Sequence, residues 1–168
     1  EIREYDKELN LIKVTVWSYF KDKDESRLEF EYDYDTSGKK ISESMIRDGT
    51  LEVQKEFRDG KVQKRLSMQS AGKVWETEIF AYDSLGRLQS VTGFEENGKA
   101  RDFRWKVYNA DGYLVEERFL RDYNTLEGSQ HIFVYDSLGQ KMMERSEFGN
   151  WEFADLSHGP AFTGQDHT

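Results

Sequence analysis

The chain has 168 residues, no cysteine, one proline and a formal net charge of -9, with 14% aromatic residues. That length suits one domain or one continuous repeat array, and the lack of cysteine excludes disulfides, a thiol nucleophile and thiolate metal sites. The acidic balance disfavours nucleic acid and anionic membrane surfaces, whose phosphates need a basic stripe, and the aromatic content is too high for a disordered chain.

In chain order, the first predicted turn is Tyr5-Asp6-Lys7-Glu8-Leu9-Asn10, a degenerate copy of a signature that recurs, with Asn10 assigned to the left-handed position. A strand runs from Leu11 toward Phe20 and ends at an acidic hairpin tip carrying Asp22, Asp24 and Glu25. Leu28, Phe30, Tyr32 and Tyr34 then alternate with Glu29, Glu31 and Asp33, the period of two expected of a half-buried strand, which closes in Tyr34-Asp35-Thr36-Ser37-Gly38. Asp48-Gly49 and Asp59-Gly60 predict hairpins on either side of a strand with Leu51, Val53 and Phe57 on one face. Trp75 falls out of phase with Val74 and Phe80, which places it on the exposed side of its strand.

The fullest copy of the signature is Tyr82-Asp83-Ser84-Leu85-Gly86-Arg87-Leu88, followed by a hairpin at Asn97-Gly98 and a strand whose Phe103, Trp105 and Val107 point to the core. Tyr108-Asn109-Ala110-Asp111-Gly112 and Tyr135-Asp136-Ser137-Leu138-Gly139 repeat the turn, and Trp151 follows the last copy. Residues 155–168 lack the pattern and read as a loose cap or a disordered end. Turn glycines recur about every 12 residues, and Tyr34, Phe57, Tyr82, Tyr108 and Tyr135 mark a longer period of two strands and two turns. The expectation is an all-β fold: an antiparallel up-and-down meander of about twelve strands built from six hairpin repeats over residues 1–154, in one twisted or curled sheet.

Tyr82 to Gly93 resembles the YD repeat of Rhs and teneurin-type proteins, whose pattern is Tyr-Asp-x-x-Gly-Arg-Leu with a glycine a few residues on. The match is partial elsewhere: Lys39-Lys40, Tyr113 and Gln140-Lys141 stand where the arginine is expected. The resemblance implies a β-hairpin array exported or displayed by a bacterium. Large members build shells around a cargo; six repeats are too few to close one, so encapsulation is not implied. The short Phe57-Arg58-Asp59-Gly60-Lys61 unit is also similar, more distantly, to MORN-type repeats of bacterial antitoxin proteins.

No catalytic constellation stands out among His131, His158 and His167, so no enzyme is expected. Asp155, His158, Asp166 and His167 match no known metal-ligand spacing, and the tip at Asp22, Asp24 and Glu25 lacks the glycine and distal glutamate of an EF-hand. No metal or cofactor is expected. The Tyr-Asp carboxylates are read as turn makers that accept the backbone N–H two residues on, and the tyrosines as a ladder across successive strands. Binding candidates lie where the repeat fails: Trp75 and Trp151, which could grip a sugar or a peptide, and the tip at Asp22, Asp24 and Glu25. The functional expectation is a non-enzymatic binding or scaffold module of an exported bacterial protein (periplasmic, lipoprotein or cell-surface), with a protein or glycan ligand. The start at Glu1 rather than Met fits either removal of a leader or an artificial start. The alternative is an intracellular antitoxin or immunity-type protein that holds a basic partner through its acidic surface. A homo-oligomer through a sheet edge or the apolar face is compatible with both.

Overall fold

Turns that reverse the chain every few residues leave each segment only its sequence neighbours to pair with. A computed structural model describes residues 1–20, 23–69, 72–122, 127–152 and 161–163; side chains are described outside 19, 20, 23–25, 121, 122, 127, 150–152 and 161–163. Its strands are β1 (Ile2–Tyr5), β2 (Leu11–Phe20), β3 (Lys23–Tyr34), β4 (Lys40–Arg47), β5 (Thr50–Arg58), β6 (Lys61–Met68), β7 (Val74–Tyr82), β8 (Leu88–Glu95), β9 (Ala100–Tyr108), β10 (Leu114–Asp122), β11 (Glu127–Tyr135), β12 (Lys141–Glu152) and β13 (Ala161–Thr163). They form one antiparallel up-and-down sheet in sequence order. The twelve expected strands are present, and the patternless tail adds β13 against the end of β12. Among the described residues no helix is long and apolar enough to cross a membrane.

Two-residue turns occur at Asp48-Gly49 and Asp59-Gly60, where both residues have positive φ, as a tight hairpin between right-twisted strands requires. Asn97-Gly98 and Asp111-Gly112 behave differently: only the glycine is left-handed, and the asparagine or aspartate lies within a longer loop.

Contacts divide the strands into two units, residues 1–79 and residues 80–168. In the second unit Phe103 and Trp105 of β9 stack at 5.9 Å between ring centres beside Leu120 of β10, which is 1% exposed. Val107 packs against this cluster, so the predicted inward face of β9 is the observed core.

In the first unit the buried residues are polar: Thr15, Glu29, Ser67, Glu76 and Glu78. A buried glutamate is tolerated there because side chains of its own and the neighbouring strand, cations for Glu29 and Glu78 and the Ser67 hydroxyl for Glu76, hold it. Lys13 lies 2.5 Å and Arg27 2.7 Å from Glu29; on the opposite face Lys55 and Lys40 hold Glu43 at 2.6 and 2.8 Å, and Arg65 holds Glu78 at 2.8 Å. The simple expectation of one apolar and one wet face therefore fails on β7. Glu76 and Glu78 are covered, facing Ser67 and Arg65 of β6, while Trp75 and Ile79 look outward.

These pairs set a pH dependence. The Lys13 hydrogen bond holds the Glu29 carboxyl below its ordinary range. At Glu43 burial pushes upward, but the hydrogen bonds and charges of Lys40 and Lys55 outweigh it and the net direction is down. A carboxyl depressed in the folded state contributes stability that is present above the unfolded value of about 4.3 and lost as pH falls through the folded value, because the unfolded chain takes up protons first. The thermal midpoint should fall on acidification below about pH 5. Glu43→Gln should be less stable at neutral pH and show a shallower acid slope. An unchanged slope would show that the pair contributes nothing.

Candidate functional site

The turns that follow β1, β3, β7 and β11 carry the Tyr-Asp signature, and their carboxylates point into the turn. Asp83 Oδ1 accepts the backbone N–H of Leu85 at 3.0 Å and of Arg87 at 2.8 Å, and Oδ2 accepts Arg87 Nε at 2.7 Å. Asp6, Asp35 and Asp136 make the same pair of bonds to the residues two and four positions on. The predicted bond is present, and the second N–H doubles it, so one oxygen closes the whole loop. Main-chain bonds complete each turn: Asp83 N–H to Arg87 O at 2.9 Å and Gly86 N–H to Asp83 O at 2.8 Å. The carboxylates respond accordingly. Ser37 hydrogen bonds pull Asp35 down and those of Asn10 pull Asp6 down; at Asp83 burial opposes, but the bonds from Arg87 prevail. One oxygen of each of these carboxylates is thus taken up in closing its own turn.

In the first turn the left-handed residue is Leu9, with φ 66°, not Asn10. The loop geometry places that conformation three residues after the aspartate, where the other turns have Gly38, Gly86 and Gly139. Asn10 instead donates its backbone N–H and its Nδ2, each at 2.8 Å, to Asp6.

The tyrosines do not form a direct ladder, because they lie on alternate strands about 9.6 Å apart. Tyr34, Tyr108 and Tyr135 instead reach the residues that leave the preceding turn. Tyr34 Oη donates to Leu11 O and Tyr108 Oη to Leu88 O, both at 2.9 Å. The Arg87 guanidinium lies 4.6 Å from the Tyr108 ring centre, and Tyr113 stacks on Tyr135 at 5.1 Å. The position after the turn glycine thus couples one repeat to the next.

Between the first two turns lies an open groove of about 660 Å³, with Ile12, Tyr32 and Tyr34 beside the carboxylates of Asp6, Asp33 and Asp35. Asp33 is also engaged, accepting Ser42 Oγ at 2.5 Å. Sequence reasoning missed this groove because its walls come from two copies nearly thirty residues apart; recognising Tyr5 to Asn10 as a copy of Tyr34 to Lys39 was the signal that could have found it.

Of the sequence candidates, Trp75 is 42% exposed and shares an outward face of β7 with Ile79, 41% exposed. On the same face of β6, Leu66 lies opposite Thr77 and Lys64 opposite Ile79, so the two outward apolar side chains have one aliphatic and one charged neighbour across the strand pair. Asp22 lies outside the described residues, as do the side chains of Asp24, Glu25 and Trp151. His131 sits between two hydroxyls, with Ser146 Oγ 2.9 Å from Nδ1 and Ser129 Oγ 3.4 Å from Nε2. Among the described residues no group of three or more His, Asp or Glu could hold a metal ion.

No protein-family model matches the chain, and no curated protein matches it. Among solved structures it is similar to a porin-like protein from Bacteroides uniformis, at 16% identity and a TM-score of 0.50, over 82% of this chain and 53% of that one. The chain thus spans about half the length of that neighbour. A structure of TcdB2-TccC3-Cdc42 matches at 10% identity and a TM-score of 0.39, over 89% of this chain and 10% of that one. Accessory secretory protein 1, 2 and 3 of Streptococcus pneumoniae match at 17% and 0.31, over 61% of this chain and 18% of that one. The likeness to the porin-like protein is one of fold alone.

The coupling between turns yields a comparison of two glycines with nearly equal φ. At Gly98, φ +80°, an added Cβ meets nothing within 4 Å, whereas at Gly139, φ +78°, it would lie 2.1 Å from Tyr113 Oη. Gly98→Ala should cost about 1 to 2 kcal/mol for the left-handed conformation alone. Gly139→Ala should cost more, because Tyr113 must leave Tyr135. The excess should vanish in a Tyr113→Ala background, as read by urea unfolding. Equal costs for the two single variants would sink this account.

Proposed function

We propose that this chain is a non-enzymatic β-repeat module of an exported bacterial protein, periplasmic, lipoprotein or cell-surface, that binds a protein or glycan. The observation that carries the reading is the pair Trp75 and Ile79, outward-facing on a strand whose glutamates are covered, with half-buried Leu66 on the same face of the neighbouring strand. Tryptophan is favoured at interaction sites because it offers a wide face at little entropic loss. Two further observations agree with a binding role. The Tyr-Asp carboxylates are occupied by backbone N–H groups, and His131 is flanked by serines in place of an orienting carboxylate.

Both faces of the first unit are suited to water rather than lipid. Glu29 and Glu31 lie on one face of β3, and Glu43, Lys55, Arg65 and Glu78 lie on the other face of β4 to β7. A charge held against lipid at mid-depth costs about 2 to 4 kcal/mol for a lysine or arginine.

The second reading, an intracellular antitoxin or immunity-type protein, is favoured by the net charge of -9. Titration with purified bacterial glycans and with cell-envelope proteins, read by tryptophan fluorescence and calorimetry, should show binding that Trp75→Ala and Ile79→Ser abolish without lowering thermal stability. Binding confined to basic proteins, steeply weakened by salt and indifferent to Trp75→Ala, would overturn the first reading in favour of the second.

A further inference from the structure

The bonds between repeats follow one rule, and the two ends of the strand order leave it half-complete. In each case the tyrosine that ends an odd-numbered strand faces the residue just past the left-handed position of the preceding turn. The β2–β3 register, Lys13 opposite Glu31, carries Asn10 opposite Tyr34. The β8–β9 register, Ser90 opposite Trp105, carries Arg87 opposite Tyr108, and the β10–β11 register carries Tyr113 opposite Tyr135. The tyrosine hydroxyl then finds the carbonyl one residue further on, Leu11 for Tyr34 and Leu88 for Tyr108.

β1 ends in such a tyrosine, Tyr5, and among the described residues it pairs with β2 alone. β12 begins just past such a turn, with Gln140 after Gly139 and then Lys141. β13 covers β12 only from Asn150 to Glu152, at the far end of the strand. Placing β1 of another molecule on the outer edge of β12 in the same register sets Tyr5 opposite Gln140, Glu4 opposite Lys141, Arg3 opposite Met142 and Ile2 opposite Met143. The charges at Glu4 and Lys141 are opposite. Ile2 and Met143, 54% and 52% exposed, would cover each other. β1 has four residues and lies at the turn end, so it and β13 fit on β12 together.

We propose that the outer edges of β1 and β12 form a head-to-tail interface between copies of this chain, extending the sheet with the register it uses internally. The two surfaces differ, so each molecule has one of each to offer and association does not end when a single contact has formed.

Sedimentation equilibrium of the full chain over a range of concentrations should show a mass that rises without stopping at the dimer. Glu4→Lys places lysine against Lys141, and Lys141→Glu places glutamate against Glu4; each alone should lower the association constant roughly three- to tenfold. An equimolar mixture of the two variants should recover wild-type association, because every junction then joins opposite charges. Recovery also shows that both variants are folded. A wild type that stays monomeric at its highest soluble concentration, a mass fixed at the dimer, or a mixture no stronger than its components would each overturn the interface.

Discussion

One oxygen of an aspartate accepting two backbone N–H groups is the contact on which the rest of this structure depends. Asp6, Asp35, Asp83 and Asp136 each close a turn this way, which places the left-handed residue and starts the next strand in register. Register in turn decides which side chains face each other across the sheet, and a slip of one residue would exchange the faces of a strand. The carboxylate of each such turn also fixes where the residues leaving it stand, and Leu11 and Leu88, whose carbonyls accept the tyrosine hydroxyls, are among them.

An antiparallel meander offers each strand neighbours on its two sides and little above or below. Apolar burial is correspondingly concentrated, with Phe103, Trp105, Leu120 and Val91 the buried hydrophobic residues among those described. Elsewhere the unit of stabilisation is the cross-strand pair, worth about 0.2 to 1 kcal/mol each. That is why glutamates are enclosed by lysine and arginine side chains whose aliphatic stems cover the sheet. A sheet stabilised in this way can leave large apolar side chains such as Trp75 and Ile79 facing outward without losing its fold.

The repeat made the turns, the strand alternation and the inward face of β9 legible, since each depends on residues close in sequence. The left-handed residue of the first turn was misplaced by one, because residue preference favoured Asn10 whereas the loop's spacing from Asp6 selects Leu9. The role of the tyrosines was read as mutual packing. Their partners are instead the residues leaving the preceding turn, a relation visible only once β2 lies beside β3 and β8 beside β9. On β7 the sequence correctly set Trp75 against Val74 and Phe80, but the burial of Glu76 and Glu78 required Ser67 and Arg65 of the adjacent strand.

By itself, then, the sequence determined the class of fold, the number of hairpins and the positions of their turns, because Asp, Gly and alternating side chains act over a few residues. Only the tertiary structure decided which glutamates are enclosed, where an open groove forms and which carbonyls the tyrosine hydroxyls reach. Those outcomes turn on contacts between strands, and such contacts depend on register summed across turns rather than on any one segment.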